Sequence, residues 1–282
     1  MNMAYAFGVK TIIKSLLTIF SRINLFFEAV DRLHTYINSI YYVNIKPDDL
    51  IKFKSILNRT IFIEDVTLVR VGSIHDGGYV LANLFSEKQI VISLGIGNNS
   101  DFEMAISRFV SKVFCFDGSI ENLPQENWRL EFEKKHVNKK VTKSSTSLTN
   151  ILQRIKVNHL ILKIDIEGAE WEVLESTPQS DLLRFDQIVG EFHGFTANKS
   201  GQTDLTKKVQ ILEKLLKNFE IINVHPNNWG SYRIIKGTPV PDVIELTFIN
   251  KNLLRSKNFS GSSKFNSTQN SPCNPEKFEY YL

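Results

Sequence analysis

Residues 160–174 read LILKIDIEGAEWEVL. The short apolar run at 160–164 predicts a strand buried inside a sheet. Gly168 then predicts a turn, and Glu170 opens a helix, because the positive end of the helix dipole favours an acidic side chain in the first turn. The stretch therefore predicts a strand–turn–helix unit that presents Asp165 and Glu167 where the strand ends.

Similar units flank this one along the chain. From residue 60 onward, short runs rich in β-branched residues alternate with helical stretches, and the runs are 90–94, 113–116, 160–164, 187–192, 221–224 and 243–249. Such alternation is typical of an open, mostly parallel sheet with helices on both faces. The sequence thus predicts an α/β fold, and Pro47 with Asp48 and Asp49 indicates a helix start at which its body begins.

The composition excludes several classes of protein. The chain has 282 residues, of which 42% are hydrophobic and 23% charged, as in an ordinary globular protein rather than a disordered, collagen-like or membrane-embedded one. A net charge of +4, spread evenly, does not indicate a nucleic-acid partner. Two cysteines, Cys115 and Cys273, cannot build a disulfide framework, so a reducing, cytoplasmic location is expected.

Segments of different character precede and follow the body. Residues 1–46 contain apolar residues at alternating steps of four and three, which predicts an amphipathic helix; they are Ile12, Leu16, Ile19, Ile23, Phe26, Val30, Leu33, Ile37 and Ile40. Its charged residues interrupt the run too often for a bilayer span. We expect this helix to pack on the body, to form a homodimer, or to lie peripherally on a membrane. Residues 251–282 are polar and predict a flexible tail.

Two glycines follow the strand at 90–94. Gly95 and Gly97, with Asn98 beside them, lie where a ligand usually approaches an open α/β sheet. Asp117, followed by Gly118, ends the next strand about 20 residues later, where a carboxylate can accept hydrogen bonds from both ribose hydroxyls. Together they predict a nucleoside site. A plain turn at the glycines and a solvated Asp117 are the alternatives, since Ser100 replaces the third glycine of a dinucleotide motif.

Acids and histidines converge at the same sheet edge. Asp165 and Glu167 are close in sequence, and two such carboxylates need a cation, a hydroxyl or a shared proton. Glu191 and His193 end the next strand, and His225 ends the one after it. Polar residues with only structural roles are the alternative at each position, but their convergence predicts a reaction centre.

These motifs resemble a known family. The segment Asp-Ile-Glu-Gly-Ala-Glu with the Val-Leu that follows, residues 165–174, resembles the signature of FkbM-type methyltransferases, which use S-adenosyl-L-methionine to O-methylate sugars and related compounds. The segments RVG (70–72), DGGYVL (76–81), SLGIG (93–97) and DFE (101–103) resemble a related branch that includes the methyltransferase-like proteins of animals. The likeness spans residues 68–249. It implies a Rossmann-like class I methyltransferase fold, with a mostly parallel seven-stranded sheet, over residues 47–250.

The resemblance also implies roles for individual residues. Gly95 and Gly97 would face the methionine moiety, Asp117 the ribose, and residues 143–147 the adenine, although Ser147-Leu148-Thr149 departs from the acidic family pattern there. Asp76-Gly77-Gly78-Tyr79 would form a loop over the cofactor, or else only a hairpin turn. The cofactor-binding residues expected are Asp76, Gly78, Tyr79, Gly95, Gly97, Asn98, Asp117, Gly118 and Ser145.

Methyl transfer to a hydroxyl needs alignment and a base. We expect His193 or Asp165 to be the base, with Glu191 and His225 orienting the base or the acceptor. The acceptor is expected to be a sugar, glycan or glycoconjugate held by residues Glu167, Asn227, Asn228 and Trp229. A Mg²⁺ or Mn²⁺ ion on Asp165, Glu191 and His193 is an alternative way to polarise the hydroxyls. Two other classes also stay open: an NAD-dependent oxidoreductase and an inactive scaffold.

Overall fold

The computed structural model describes residues 45–63, 66–196, 204–254, 259–260 and 269–280. The amphipathic helix predicted within residues 1–46 lies outside the described residues. The helix predicted to start at Pro47 does start there, with proline at its first position, where its missing N–H costs nothing. Within the described ranges, no helix combines the length and the apolar character that crossing a bilayer requires.

The elements alternate along the chain as the sequence predicts. The helices are α1 (Pro47–Leu57), α2 (Asp101–Ile106), α3 (Leu148–Arg154), α4 (Glu170–Ser176), α5 (Gln179–Leu182), α6 (Leu205–Leu216) and α7 (Lys251–Leu254). The strands are β1 (Phe62–Ile63), β2 (Leu68–Gly72), β3 (Gly78–Ala82), β4 (Ile90–Leu94), β5 (Lys112–Phe116), β6 (Leu130–Glu133), β7 (His136–Val137), β8 (Ser145–Thr146), β9 (Leu160–Ile164), β10 (Phe185–Phe192), β11 (Phe219–Pro226), β12 (Tyr232–Ile235), β13 (Thr238–Pro241), β14 (Ile244–Asn250) and β15 (Phe259–Ser260).

Seven strands form the central sheet, in the order β11-β14-β10-β9-β4-β5-β6. Strands β10, β9, β4, β5 and β6 run parallel to one another, whereas β14 is antiparallel to both β10 and β11. The predicted α/β fold with a mostly parallel seven-stranded sheet is confirmed. Because β4, β9 and β10 are parallel, the residues that follow them emerge at one edge of the sheet.

One face of the sheet is covered by helices and is apolar. Helices α1, α3, α4 and α6 contribute Phe53, Ile151, Leu174 and Leu212 to a single buried cluster with sheet residues such as Leu162. All five side chains are at most 1% exposed. Burying this area is the main favourable term that holds the sheet to its helices.

The other face is covered by α2 and by the hairpin β2–β3. Its apolar part includes Tyr79 and Leu81 of the hairpin and Phe102 of α2. Hydrogen bonds also attach the hairpin, because the buried Gln187 amide donates to the Ala82 carbonyl at 3.0 Å and accepts from the Ala82 N–H at 2.8 Å. The sheet thus holds β3 in one register and places Tyr79 above the end of β9.

The described part of the C-terminal tail, residues 269–280, packs on the end of β11. Asn228 accepts from the Asn274 N–H at 2.7 Å and donates to the Asn274 carbonyl at 2.8 Å. His75, in the β2–β3 loop, contacts the Pro272 carbonyl at 2.9 Å. Residues 251–254 form α7, residues 259–260 pair with β1, and residues 269–280 make specific contacts. The flexible tail stays a prediction for the other residues after 250.

Candidate functional site

The loop after β4 requires glycine at position 95. Gly95 has a φ of +79°, and a Cβ added there would lie 1.6 Å from the Asp165 carbonyl oxygen. The loops after β4 and β9 therefore touch backbone to backbone. Gly97 has a φ of +58°, and nothing lies within 4 Å of its added Cβ, so this glycine faces open space. The direction a side chain would take is therefore filled by backbone at Gly95 and open at Gly97.

Asp117 organises the same loop. Its Oδ2 accepts hydrogen bonds from the N–H groups of Ile96 at 2.8 Å and Gly97 at 2.9 Å, and its Oδ1 accepts from Ser119. Burial raises the pKa of this carboxyl, but the hydrogen bonds outweigh burial and lower the pKa to about 2. Asp117 is therefore ionised at neutral pH. Each carboxylate oxygen already accepts two hydrogen bonds, so a ribose hydroxyl would bind Oδ1 in place of the rotatable Ser119 hydroxyl.

A cleft of about 450 Å³ opens between these loops. Predicted residues make up much of its lining, namely Gly95, Gly97, Asp117, Gly118, Asp165 and Glu167. Residues 135–138, which include β7, line the opposite side. The cleft thus extends from the predicted nucleoside site to Asp165 and Glu167, and Glu191 and His193 are not among its lining residues. Its volume is in the size range of small-molecule sites.

Asp165 is held by buried partners that the sequence did not predict. The Tyr79 hydroxyl donates to Asp165 Oδ2 at 2.9 Å, and the Lys163 ammonium lies 3.6 Å from the same oxygen and donates to the Gly95 carbonyl. Burial lowers the pKa of Lys163, but Asp165, Glu103 and Glu191 outweigh it and keep the pKa above its ordinary value. A protonated lysine thus supports Asp165 from beneath. In the sequence, the charged Lys163 inside the apolar run at 160–164 was the signal for such a partner.

His193 is held by Glu170, in the first turn of α4. Glu170 Oε1 lies 3.2 Å from His193 Nδ1 and accepts from the N–H groups of Ile166 and Gly168. Burial lowers the pKa of His193, but the contact with Glu170 outweighs it, and the pKa lies above 6.5. His193 Nε2 lies 3.6 Å from Glu167 and 3.7 Å from Glu191. Glu170 therefore orients this imidazole, a role the sequence did not predict.

Glu191 is the most deeply buried acid of the predicted set, at 6% exposure. Burial, and then the nearby Asp165 and Glu245 carboxylates, raise its pKa well above 4.5. A raised pKa favours the protonated carboxyl, which can donate a hydrogen bond. Glu245 is the cross-strand partner of both Glu191 and His225.

Other predicted residues lie away from the cleft lining. The Ser145 hydroxyl donates to the Lys140 carbonyl at 2.8 Å, and Gly78 pairs with Gly72 in the β2–β3 hairpin. Asp76 and Gly77 thus lie in the turn of this hairpin, and Gly78 and Tyr79 begin β3. The expected covering of the cofactor stays a prediction. Asp76 and Asn98 are exposed on neighbouring loops.

The second histidine and three of the predicted acceptor residues, Asn227, Asn228 and Trp229, lie at the C-terminal segment, whereas the fourth, Glu167, lines the cleft. His225 contacts Glu245 and Glu279, and Asn227 Oδ1 accepts from the Trp229 N–H at 2.8 Å. Asn228 is bound to Asn274, whereas Trp229 is 54% exposed. The structure thus groups Asp165, Glu191 and His193 closely, and it places His225 in a separate set of contacts. The roles predicted for these residues stay predictions.

The sequence predicted Asp165, Glu191 and His193 as ligands of a divalent ion, and the structure brings Glu170 into this group as well. Asp165, Glu170 and His193 each bring one ligand atom within 4.8 Å of the others, and Glu191 lies beside His193. Oxygen ligands with one imidazole suit Mg²⁺ or Mn²⁺. Glu170 Oε2 is buried and has no hydrogen-bond partner, so it is available as a ligand.

One family model and several solved structures match this chain. The sequence model of the family described as "Methyltransferase FkbM domain" matches residues 57–221, more than half of the chain. No curated protein sequence matches the chain. Similar solved structures include an rRNA methylase from Streptococcus thermophilus, with 13% identity, a TM-score of 0.35, and coverage of 59% of this chain and 89% of that one.

Two further solved structures have similar values. A SAM-dependent methyltransferase from Anabaena variabilis has 12% identity and a TM-score of 0.34, with 59% of this chain and 79% of that one covered. Precorrin 8w decarboxylase from Methanobacterium thermoautotrophicum has 11% identity and a TM-score of 0.35, with 59% and 83% covered. The family match confirms the resemblance seen in the Asp-Ile-Glu-Gly-Ala-Glu motif: the chain belongs to the methyltransferase FkbM domain family.

Proposed function

We propose that the protein transfers a methyl group from S-adenosyl-L-methionine to a hydroxyl of a sugar, glycan or glycoconjugate. The observation that carries the proposal is the single cleft shared by the glycine loop, Asp117 and Asp165. A nucleoside held at Asp117 would extend along this cleft toward Asp165, where acids and an imidazole converge.

The cofactor residues present fit the adenosyl group. The ionised Asp117 faces the cleft as an acceptor for ribose hydroxyls, and Gly97 leaves its backbone open to the methionine moiety. Residues 135–138 line the side where the adenine would lie. When bound, S-adenosylmethionine supplies an electrophilic methyl carbon.

The chain's own part is to align the acceptor and remove its proton. Glu170 fixes Nδ1 of His193, which leaves Nε2 to accept the hydroxyl proton as the new bond forms. Asp165, held by Tyr79 and Lys163, would accept a hydrogen bond from a neighbouring hydroxyl. A protonated Glu191 would donate one. Two acceptor groups and one donor within a small space suit a polyol.

Binding and turnover test the proposal separately. We expect calorimetry to show binding of S-adenosylmethionine and its demethylated product, and labelled methyl to pass to a member of a panel of nucleotide sugars, oligosaccharides and cell-envelope extracts. His193→Gln and Asp165→Asn should each lower kcat at least ~100-fold with little change in cofactor affinity. His159→Gln is the matched control, because that side chain is 66% exposed. Binding of NAD instead of S-adenosylmethionine would contradict the proposal.

A divalent ion is a second way to polarise the acceptor in the same site. The buried, unpartnered Glu170 Oε2 supports it. Exhaustive chelation distinguishes the two routes: unchanged turnover supports base catalysis by His193 alone, and loss of turnover restored by Mg²⁺ or Mn²⁺ supports the ion.

We also propose a cytoplasmic setting and a partner surface on residues 1–46. Two free, buried cysteines agree with a reducing compartment. Removing residues 1–45 should release a monomer from a homodimer, or release the protein from anionic vesicles, while cofactor binding persists. Size-exclusion chromatography and vesicle flotation separate these outcomes; a variant that keeps both properties contradicts the proposed surface.

A further inference from the structure

Outside the cleft, four polar side chains meet where the C-terminal segment covers β11 and β14. His225 and Glu245 are cross-strand partners in those strands, and Cys273 and Glu279 come from residues 269–280. His225, Glu245 and Cys273 are only 3%, 2% and 2% exposed. The proposed methyl transfer assigns no chemistry to Glu245, Cys273 or Glu279.

The contacts among these residues have the spacing of a ligand set. His225 Nδ1 lies 3.0 Å from Glu245 Oε2, and Cys273 Sγ lies 2.8 Å from Glu245 Oε1. One ligand atom from each of the three lies within 4.8 Å of the others. Ligand atoms on one tetrahedral Zn²⁺ are about 3.4–3.6 Å apart, given bonds of about 2.0–2.3 Å. Movements of less than about 1 Å would therefore admit the ion.

Glu279 holds the imidazole in the orientation that such a site needs. Its Oε1 lies 2.6 Å from His225 Nε2, on the side of the ring away from Glu245. In metal sites, a ligating histidine usually donates its other ring N–H to a carboxylate, which fixes the tautomer and the ring plane. Glu279 makes that contact, and it directs Nδ1 toward Glu245 and Cys273.

The charge balance also allows an ion. Both ring nitrogens of His225 face carboxylates and Cys273 donates to Glu245, so a ring protonated on both nitrogens and a thiol would give the cluster two protons that an ion can displace. Binding Zn²⁺ breaks the Nδ1–H and S–H bonds, releases both protons to solvent, and forms Zn–N and Zn–S bonds. Two positive charges replace two protons, so the net charge of the buried cluster is unchanged. This matters because an uncompensated buried charge is costly.

We propose that His225, Glu245 and Cys273 bind one Zn²⁺ ion, with Glu279 positioning the histidine. A set of imidazole, carboxylate and thiolate ligands suits Zn²⁺ rather than Mg²⁺, which prefers oxygen alone. Three protein ligands leave a fourth position for water. The ion ties the C-terminal segment to the sheet, and the inference stands apart from the proposed methyl transfer.

Cobalt substitution tests the site without any turnover. The full-length protein, freed of metal by chelation, should bind one equivalent of Co²⁺ and develop a near-ultraviolet thiolate-to-cobalt absorption band, which one equivalent of Zn²⁺ removes. Cys273→Ser should abolish the band, and Glu279→Gln should weaken binding about 10- to 100-fold. Cys115→Ser is the matched control, because the chain has only these two cysteines and Cys115 lies in an apolar cluster.

A second measurement covers loss of folding in the Cys273 variant. Zn²⁺ should raise the Tm of the wild type and of Cys115→Ser, and it should protect Cys273 from alkylation in both. His193→Gln should keep the cobalt band, which separates this site from the group around Asp165. Absence of a thiolate band in the wild type, or its survival in Cys273→Ser, would overturn the proposal.

Discussion

Gly95 and Gly97 belong to one Gly-x-Gly segment, and the sequence alone does not distinguish them. Their surroundings in the structure differ. An alanine Cβ at position 95 would collide with the Asp165 carbonyl, whereas one at position 97 would enter the cleft. The two residues therefore serve different ends. Gly95 lets two backbone loops meet, and Gly97 leaves room for a ligand.

This difference predicts opposite phenotypes for the two alanine variants. Gly95→Ala should lower the free energy of unfolding by several kcal/mol, because backbone atoms must move. Gly97→Ala should cost only about 1 kcal/mol of left-handed strain but should weaken S-adenosylmethionine binding. Urea denaturation and calorimetry measure the two effects. Equal loss of stability in both variants would contradict the assignment.

Asp117 should make stability depend on acid pH. Its pKa is about 2 in the folded chain, against an ordinary value of 3.8. The folded state therefore gains about 2 kcal/mol above pH 4, and this gain is lost as the pH falls from 3.8 toward 2. The stability difference between wild type and Asp117→Asn should be largest at pH 7 and smaller at pH 3, measured by urea denaturation. The exposed Asp48→Asn serves as control and should show little change.

His193 should make turnover depend on neutral pH. A base must be deprotonated to act, and the Glu170 contact keeps the pKa of His193 above 6.5. The value of kcat/KM should therefore rise with pH through an inflection above 6.5. Glu170→Gln removes the charge that raises this pKa, so the inflection should move to lower pH. An inflection that does not move would assign the base to another residue.

At the scale of elements, the hairpin β2–β3 depends on one amide. Gln187 makes both of its hydrogen bonds to the backbone of Ala82, and both groups are buried. Gln187→Ala leaves the Ala82 N–H and carbonyl without these partners, so it should cost about 3 kcal/mol. Gln125→Ala, which removes one exposed hydrogen bond, should cost less than about 0.5 kcal/mol. Similar losses in the two variants would show that the Gln187 amide adds little to the attachment of the hairpin.

Burial explains which elements the sequence could predict. Strands β4 and β9 begin and end at the predicted residues, because both of their faces are buried and they appear as continuous apolar runs. The edge strand β6 was missed, since Glu131 and Glu133 alternate with apolar residues and its side chains are partly exposed. The hydrogen bonds between β3 and Gln187 were not predicted, because the two partners are distant in the chain.

At the scale of the whole molecule, the C-terminal segment closes one end of the sheet. Asn228 is fully buried and joins that segment through the backbone of Asn274. Asn228→Ala should therefore lower the free energy of unfolding by about 2–4 kcal/mol, because two buried backbone groups lose their partners. Calorimetric unfolding measures this. The exposed Asn83→Ala is the control, and a null effect at Asn228 would show that the segment adds nothing to stability.

By itself, the sequence determined the α/β class, the succession of the main strands along the chain, and the edge of the sheet where Asp117, Asp165 and His193 emerge. Local patterns suffice for these features, because strand burial and glycine turns act over a few neighbouring residues. It also carried the family resemblance through the DIEGAE motif.

Only the tertiary structure decided the partners of these residues. Tyr79 reaches Asp165 from 86 positions away, and Cys273 reaches Glu245 from 28. Such contacts depend on how distant segments pack, and local sequence patterns do not determine that packing. The same physical reason separates His225, which lies under the C-terminal segment, from the group around Asp165 that its position at a strand end had suggested.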